Sequence, residues 1–372
     1  WDATYPTAPT TVEATREMMD VLRGEYYVKP EGSPTLAEAT ADFGKSAEIS
    51  FVTMKDIAWD DDIAWTAFLK QMTLEDLLTV VNCQGGRQPI QSVNLPETKV
   101  GDGCDGIGAR LPYAYEDTTG KWGSGRIEEG RMTTTRYASK TILTGTFNHD
   151  LYKRRGELMG EEGLWTNCTE NWGVGANLHR TPFNGRAFEY MSEDANMNFM
   201  AAIPEVIAME KKGMLAGVKH FAGNDQEWQR TGVSTFFNEQ AFREGALRGF
   251  EGAIRVAKAT SLMQAFNRIG LRFASSCPAL NIDVCDNEWG FEGHKETDAT
   301  SSQEHGYLSH YATMLASGTD TFCYNTIASK ILLAQLQETD DGNFVEQYVL
   351  RAGKNFFYAM SRSNAVNGLT SD

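Results

Sequence analysis

Residues 213–222, GMLAGVKHFA, form an apolar run that ends in a lysine and a histidine. A helical pattern follows at Asn238–Ala257, with Ala241, Phe242, Leu247, Phe250 and Ile254 on one side. The same alternation continues downstream. Thr260–Phe266 is the next apolar run and Cys277–Trp289 the next helix. Gly290–Asp298 leads to a helix over Glu304–Ser317, then to the short run Thr319–Tyr324. Two last helices are expected at Thr326–Glu338 and Phe344–Arg362. Short runs alternating with amphipathic helices predict an α/β fold of parallel strands and crossover helices. Periodicity alone does not separate a closed barrel from an open sheet. In both, ligands sit at the carboxyl ends of the strands. A lysine closing an apolar run is costly to bury without partners, so Lys219 is expected to face something polar.

The 372 residues suit one large barrel with additions or two smaller domains. Hydrophobic residues make up 41% and charged residues 23%, enough for a real core. Lys and Arg total 34 against 50 Asp and Glu, a net charge of −16, which argues against a nucleic-acid or anionic-membrane partner. No apolar stretch approaches ~18 residues, so no transmembrane helix is expected, and no charged-then-apolar leader opens the chain. A soluble protein, cytoplasmic or secreted, fits this composition. The chain opens on Trp1 rather than Met, which fits a longer reading frame or processing. The six cysteines are dispersed, with no C-x-x-C pair or zinc spacing, and are read as buried thiols.

Residues 1–64 differ from the rest. Pro6, Pro9, Pro30 and Pro34 fall there among many Thr and Ala. They read as an arm or linker with one short helix near Glu13–Arg23. The regular pattern of the second region, 65–372, starts near Trp65. Thr73 followed by Asp76 resembles a capping box, with Leu74, Leu77, Leu78 and Val81 at helical spacing.

Four clusters look unlike packing: Asp102–Gly106, Asn177–Asp194, Lys219–Glu227, and Trp289–Gly293 with Thr297 and Asp298. Each has a plain alternative. Asp102-Gly103 makes a good turn, Arg186 can pair with Glu189 or Glu193, and Asp298 can cap the next helix. Asp, Arg, Lys and His at successive strand ends would nevertheless converge on one pocket. That set suits a polyhydroxylated ligand. No glycine-rich phosphate cradle or cofactor motif is present. His179, His220, His294, His305 and His310 show no metal-ligand spacing; His305 and His310 are five apart, off the i, i+4 face.

These motifs resemble the catalytic barrel of glycoside hydrolase family 3, over about Thr66–Leu369. The segment NLHRTPFNGRAFEYMSEDANM (177–197) is similar to the family's N-x-H-R-x-P-x-x-G-R-x-F-E-Y-x-S-E-D-P. KHFAGNDQEWQR (219–230), SLMQAFNRIG (261–270) and EWGFEGHKETD (288–298) are similar to the motifs that follow it in order, and DGCDGIGAR (102–110) stands where the family has D-G-P-x-G. The Asn-Arg-Ile-Gly ending and SRSNAVNGL (361–369) look like the long bacterial subgroup.

The resemblance implies a (β/α)8-like TIM barrel after the N-terminal arm. It implies retaining hydrolysis of terminal, non-reducing β-linked sugars, β-glucosidase first and β-xylosidase second. The K-H-x-G-H loop of the N-acetylglucosaminidase branch is absent. Asp298 would be the nucleophile that forms a glycosyl-enzyme. Asp102, Arg186, Lys219 and His220 would bind sugar hydroxyls, and Met263 and Phe266 would line the pocket. Lys219 and Arg186 are expected to hold the Asp298 pKa down. No metal or cofactor is implied. The substrate would be a β-glycoside or oligosaccharide. No residue matches the family's acid/base, which is expected on a second glycosidase domain, in the same reading frame or on another chain. The other class of reading is a sugar-binding or structural barrel without catalysis. The run His294-Lys295-Glu296-Thr297 and Cys104 depart from the family pattern, which has an apolar strand and a proline there.

Overall fold

A computed structural model describes residues 13–24, 26–45, 47–83, 86–107, 134–300 and 310–367. The first twelve residues of the expected arm, Gly108–Arg110 of the first motif, residues 304–309 of one expected helix with His305, and residues 368–369 lie outside them.

The strands are β1 (Asn82–Cys83), β2 (Gly86–Arg87), β3 (Thr98–Asp102), β4 (Cys168–Trp172), β5 (Leu215–Phe221), β6 (Ser234–Thr235), β7 (Ser261–Gln264), β8 (Arg268–Ile269), β9 (Arg272–Phe273), β10 (His294–Glu296) and β11 (Phe322–Cys323). Six of them form one sheet in the order β10-β7-β5-β4-β3-β2. All its pairs are parallel except β2 with β3. A parallel pair, β1 with β11, joins this sheet through the bridge Glu296–Thr321. The sheet curls, and helices His149–Trp165 and Ala195–Lys211 cover its outside, so the fold is a TIM-barrel-like α/β fold. The small sheet β6-β8-β9 is built from the chain after β5 and after β7.

Helix starts follow local chemistry. Asn148 and Asp194 cap the two helices on the sheet by accepting from backbone N–H groups of the first turn. Thr73 accepts from Asp76 N at 3.1 Å, as its spacing predicted. Thr15 caps a helix at Arg16–Arg23, and Gly24 ends it with φ +76°. The expected Asn238–Ala257 helix forms from Glu239, capped by Asn238, but with π-type turns at Phe242–Ala246 and Gly252–Val256. Tyr27, Phe51 and Met54 pack into a core shared with Phe344, Phe356 and Phe357, and helix Asp62–Lys70 runs across the 64/65 division.

The barrel interior explains the polar run at 294–297. His294, Lys295 and Glu296 are all fully buried in β10. Side chains alternate along a strand. Lys295 therefore points to the helix side and meets Asp286 at 2.5 Å. His294 and Glu296 point inward. Arg87 lies 2.8 Å from Glu170 and 3.2 Å from Glu296; His294 Nε2 lies 3.2 Å from Glu170, and Ser261 donates to Glu170. The departure from an apolar strand is thus a buried ion cluster. Burial opposes the Glu170 charge, yet His294 and Arg87 hold its pKa below the usual carboxylate range. Glu296 is pushed up by burial and by the Glu170 charge, which outweigh Arg87.

Candidate active site

Each predicted charged residue stands at a carboxyl end of the sheet or just beyond one. Asp102 is the last residue of β3, and Lys219 and His220 lie near the end of β5. Asp298 follows β10 by two residues. Arg186 comes from the long connection after β4. That connection is held by parallel bridges from Gly175 to both Lys219 and Tyr190. A side chain at Gly175 would place its Cβ 2.2 Å from the Glu189 carbonyl oxygen, so only glycine allows this approach.

The side chains form a chain of opposite charges. Lys219 Nζ lies 2.7 Å from Asp102 Oδ1 and 3.5 Å from Glu189 Oε1. Arg186 donates from Nε to the other oxygen of Glu189. Burial disfavours the Lys219 ammonium, but Asp102 and Glu189 outweigh it and raise its pKa well above the usual lysine value. Burial also opposes the Glu189 charge, yet Lys219 and Arg186 hold its pKa at about 2. Cys104, in the place of the family's proline, is buried beside Glu189, and burial pushes its thiol up to about 12.

Asn177 holds the backbone of His220 on both sides. It accepts from His220 N and donates to His220 O at 2.9 Å. The ring is pinned by Tyr190, whose hydroxyl is 3.1 Å from Nδ1. Nε2 lies 3.5 Å from Asp298 Oδ2. Asp298 Oδ1 accepts from Ala299 N at 2.8 Å. Burial raises the Asp298 pKa above the ordinary aspartate value, although Arg186, Arg230 and Lys219 pull the other way. The expected depression is therefore corrected: the cations act as predicted, but removing the carboxyl group from water wins.

The two apolar candidates have separate settings. Met263 sits inside the barrel with Trp172, Val100, Cys83 and Cys323. Phe266 is buried under the Arg230 guanidinium, whose Cζ is 4.6 Å from the ring centre. The structure adds Trp172, outside the quoted motifs, and gives partners to motif residues that had no role of their own in the sequence: Tyr190, Asn224, Glu227 and Arg230. Glu189 had a signal, since it lies three residues from Arg186 and was, with Glu193, one of the two partners open to that arginine; the structure takes Glu189. Among the described residues, no group of three or more His, Cys, Asp or Glu could hold a metal ion, and no helix is long and apolar enough to cross a membrane. All six cysteines are buried free thiols.

Such a pocket can bind several hydroxyls at once through charged donors and acceptors, with one carboxylate left facing a histidine. A β-glucosidase of Bacteroides ovatus is 31% identical over 232 residues, which is 62% of this chain and 30% of that protein. An exo-α-(1→6)-L-arabinopyranosidase of Bifidobacterium longum is 29% identical over 64% of this chain and 31% of its own length. The chain thus spans about a third of these relatives. The solved structure of β-glucosidase 3B from Thermotoga neapolitana with glucose superposes with a TM-score of 0.71, at 25% identity, over 82% of this chain and 43% of that one. The family model described as the glycosyl hydrolase family 3 N terminal domain matches residues 117–351. The chain therefore belongs to the family of glycosyl hydrolase family 3 N-terminal domains.

Proposed function

We propose that this chain carries the sugar-binding and nucleophile-bearing part of a retaining β-glycosidase that removes terminal sugars from non-reducing ends. The observation that supports it most is the convergence of Asp102, Lys219, Glu189 and Arg186 next to Asp298 and His220. Asp298 attacks the anomeric carbon, the bond to the leaving oxygen breaks, and that oxygen takes a proton from an acid. Water then attacks the glycosyl-Asp298 ester, gives its proton to the same group as base, and frees the sugar with retained configuration.

β-Glucoside is the first substrate choice, in line with the names of the relatives, and β-xyloside the second. The acid/base is assigned to a second domain. Among the described residues, the pocket carboxylates Asp102, Glu189 and Glu227 are each paired with a cation, which suits hydroxyl binding better than proton donation.

Trapping tests the reading. A 2-deoxy-2-fluoro-β-glucoside with a good leaving group should add one sugar mass, mapped to the peptide with Asp298. Binding of the sugar without labelling would show a barrel that holds sugars and does not catalyse; labelling elsewhere would move the nucleophile.

A further inference from the structure

Tyr190 stands in the middle of a hydrogen-bond chain that runs outward from the pocket. Its hydroxyl lies 3.1 Å from His220 Nδ1, and Asn224 Nδ2 donates to the same oxygen at 2.9 Å. Asn224 Nδ2 also donates to Glu227 Oε1 at 3.1 Å. Glu227 is ion-paired to Arg230 at 2.8 Å. On the far side of the imidazole, Nε2 lies 3.5 Å from Asp298 Oδ2. Tyr190, His220 and Asn224 are all buried, so each hydrogen in the chain needs an acceptor inside the protein.

The directions follow from one end. A carboxylate only accepts. Glu227 therefore faces the amino side of the Asn224 amide and disfavours the flipped orientation, which would set a carbonyl oxygen against it. The amide so oriented donates to Tyr190. Tyr190 in turn donates its hydrogen to His220 Nδ1. A neutral imidazole that accepts at Nδ1 carries its hydrogen on Nε2. Burial, together with Arg186, Lys219 and Arg230, holds the His220 pKa well below the usual histidine value, which agrees with a neutral ring.

We infer that Tyr190 is a positioning residue that fixes His220 in the Nε2–H tautomer, so that the ring presents a donor to Asp298 and to a sugar hydroxyl beside it. The other tautomer would turn a lone pair toward the carboxylate. The 3.5 Å spacing is long for a formed hydrogen bond, and such contacts tighten when substrate fills a site. The sugar half of this inference rests on the glycosidase reading above; the tautomer does not.

Nitrogen-15 NMR of the chain labelled at histidine tests it, with His220→Gln used only to assign the His220 signals. Unsubstituted protein should show one neutral His220 tautomer, hydrogen on Nε2. Tyr190→Phe keeps the ring and removes the donor, so both tautomers should appear. Glu227→Gln lets the Asn224 amide turn, and it should also give a mixture; it carries the test if the first variant does not fold. With an aryl β-glucoside, Tyr190→Phe removes one hydrogen bond from the ring and should lower kcat/KM by about tenfold, mostly in kcat. A hydrogen on Nδ1 in the unsubstituted protein, or an unchanged tautomer in Tyr190→Phe, overturns the inference. The expected tautomers together with no labelling of Asp298 overturn the glycosidase reading alone.

Discussion

The indole Nε1 of Trp172 donates to Glu296 Oε2 at 2.8 Å, across 124 residues of chain. Glu296 lies two residues before Asp298. The strand that delivers the proposed nucleophile is thus tied from inside the barrel to β4, the strand that leads into the Arg186 loop. Arg87 holds the same carboxylate from β2. The buried cluster and the pocket above it form one continuous structure.

Removing the cation of that cluster should be costly. Arg87→Met has a similar volume but leaves Glu170 and Glu296 buried with less compensation. Breaking a buried pair typically costs about 3–5 kcal/mol. Denaturant unfolding should show a loss of that size. A change under about 1 kcal/mol would mean that the two carboxyl groups share a proton without strain and that Arg87 is not their main partner.

Glu189 makes stability depend on acid. Its pKa is about 2 in the folded protein against an ordinary 4.5. A depressed carboxylate contributes stability that is fully present above the unfolded value. That stability is lost as pH falls through 4.5 toward about 2. The gap is worth about 3 kcal/mol. Glu189→Gln should lower stability by roughly that amount at pH 7 and much less at pH 2. Unfolding curves for both proteins across this range check it; an equal difference at both ends would exclude the charge as the cause.

How far the sequence could be read follows from where each partner lies. Lys219 was visible because a charge closing an apolar run has few explanations. The parallel strands and their helices were visible because burial imposes local periods. The polar run at β10 was not, since its partner Arg87 is 209 residues away and no local pattern announces it. Tyr190 was hidden for a related reason. Its motif marked the segment but gave the tyrosine no role of its own, and only the folded chain shows its hydroxyl against His220. The Asp298 pKa was misjudged because sequence shows which charges come together but not how much water is removed with them.

The pH dependence of the first chemical step should follow the balance at Asp298. Burial raises its pKa, so the acid limb of kcat/KM should lie above an ordinary aspartate value. Arg230 pulls it back down. Arg230→Met removes that cation, makes ionisation harder and should move the limb to higher pH. A profile of kcat/KM with an aryl glycoside reads this directly. A limb that moves to lower pH would mean that Asp298 is not the group being titrated.

The last prediction concerns proton supply. A retaining glycosidase needs two carboxyl-type groups about 5–5.5 Å apart across the scissile bond. In the reading proposed above Asp298 is one of them, and the described carboxylates Asp102, Glu189 and Glu227 are each ion-paired. Asp298→Asn keeps the shape and removes the proposed nucleophile, so turnover should fall on the order of 10³-fold or more. Sugar affinity should change far less, because Asp102, Lys219 and Arg186 still hold hydroxyls. In the unsubstituted chain the first step should depend steeply on the leaving group. A nitrophenolate departs unprotonated, whereas a sugar alkoxide needs an acid worth roughly 10²–10⁴-fold. The chain by itself should therefore act on aryl β-glucosides far better than on disaccharides, and adding a second family domain should restore the disaccharide rate. If the chain by itself cleaves β-linked disaccharides as fast as aryl glucosides, the acid lies within these 372 residues, and the second-domain assignment fails.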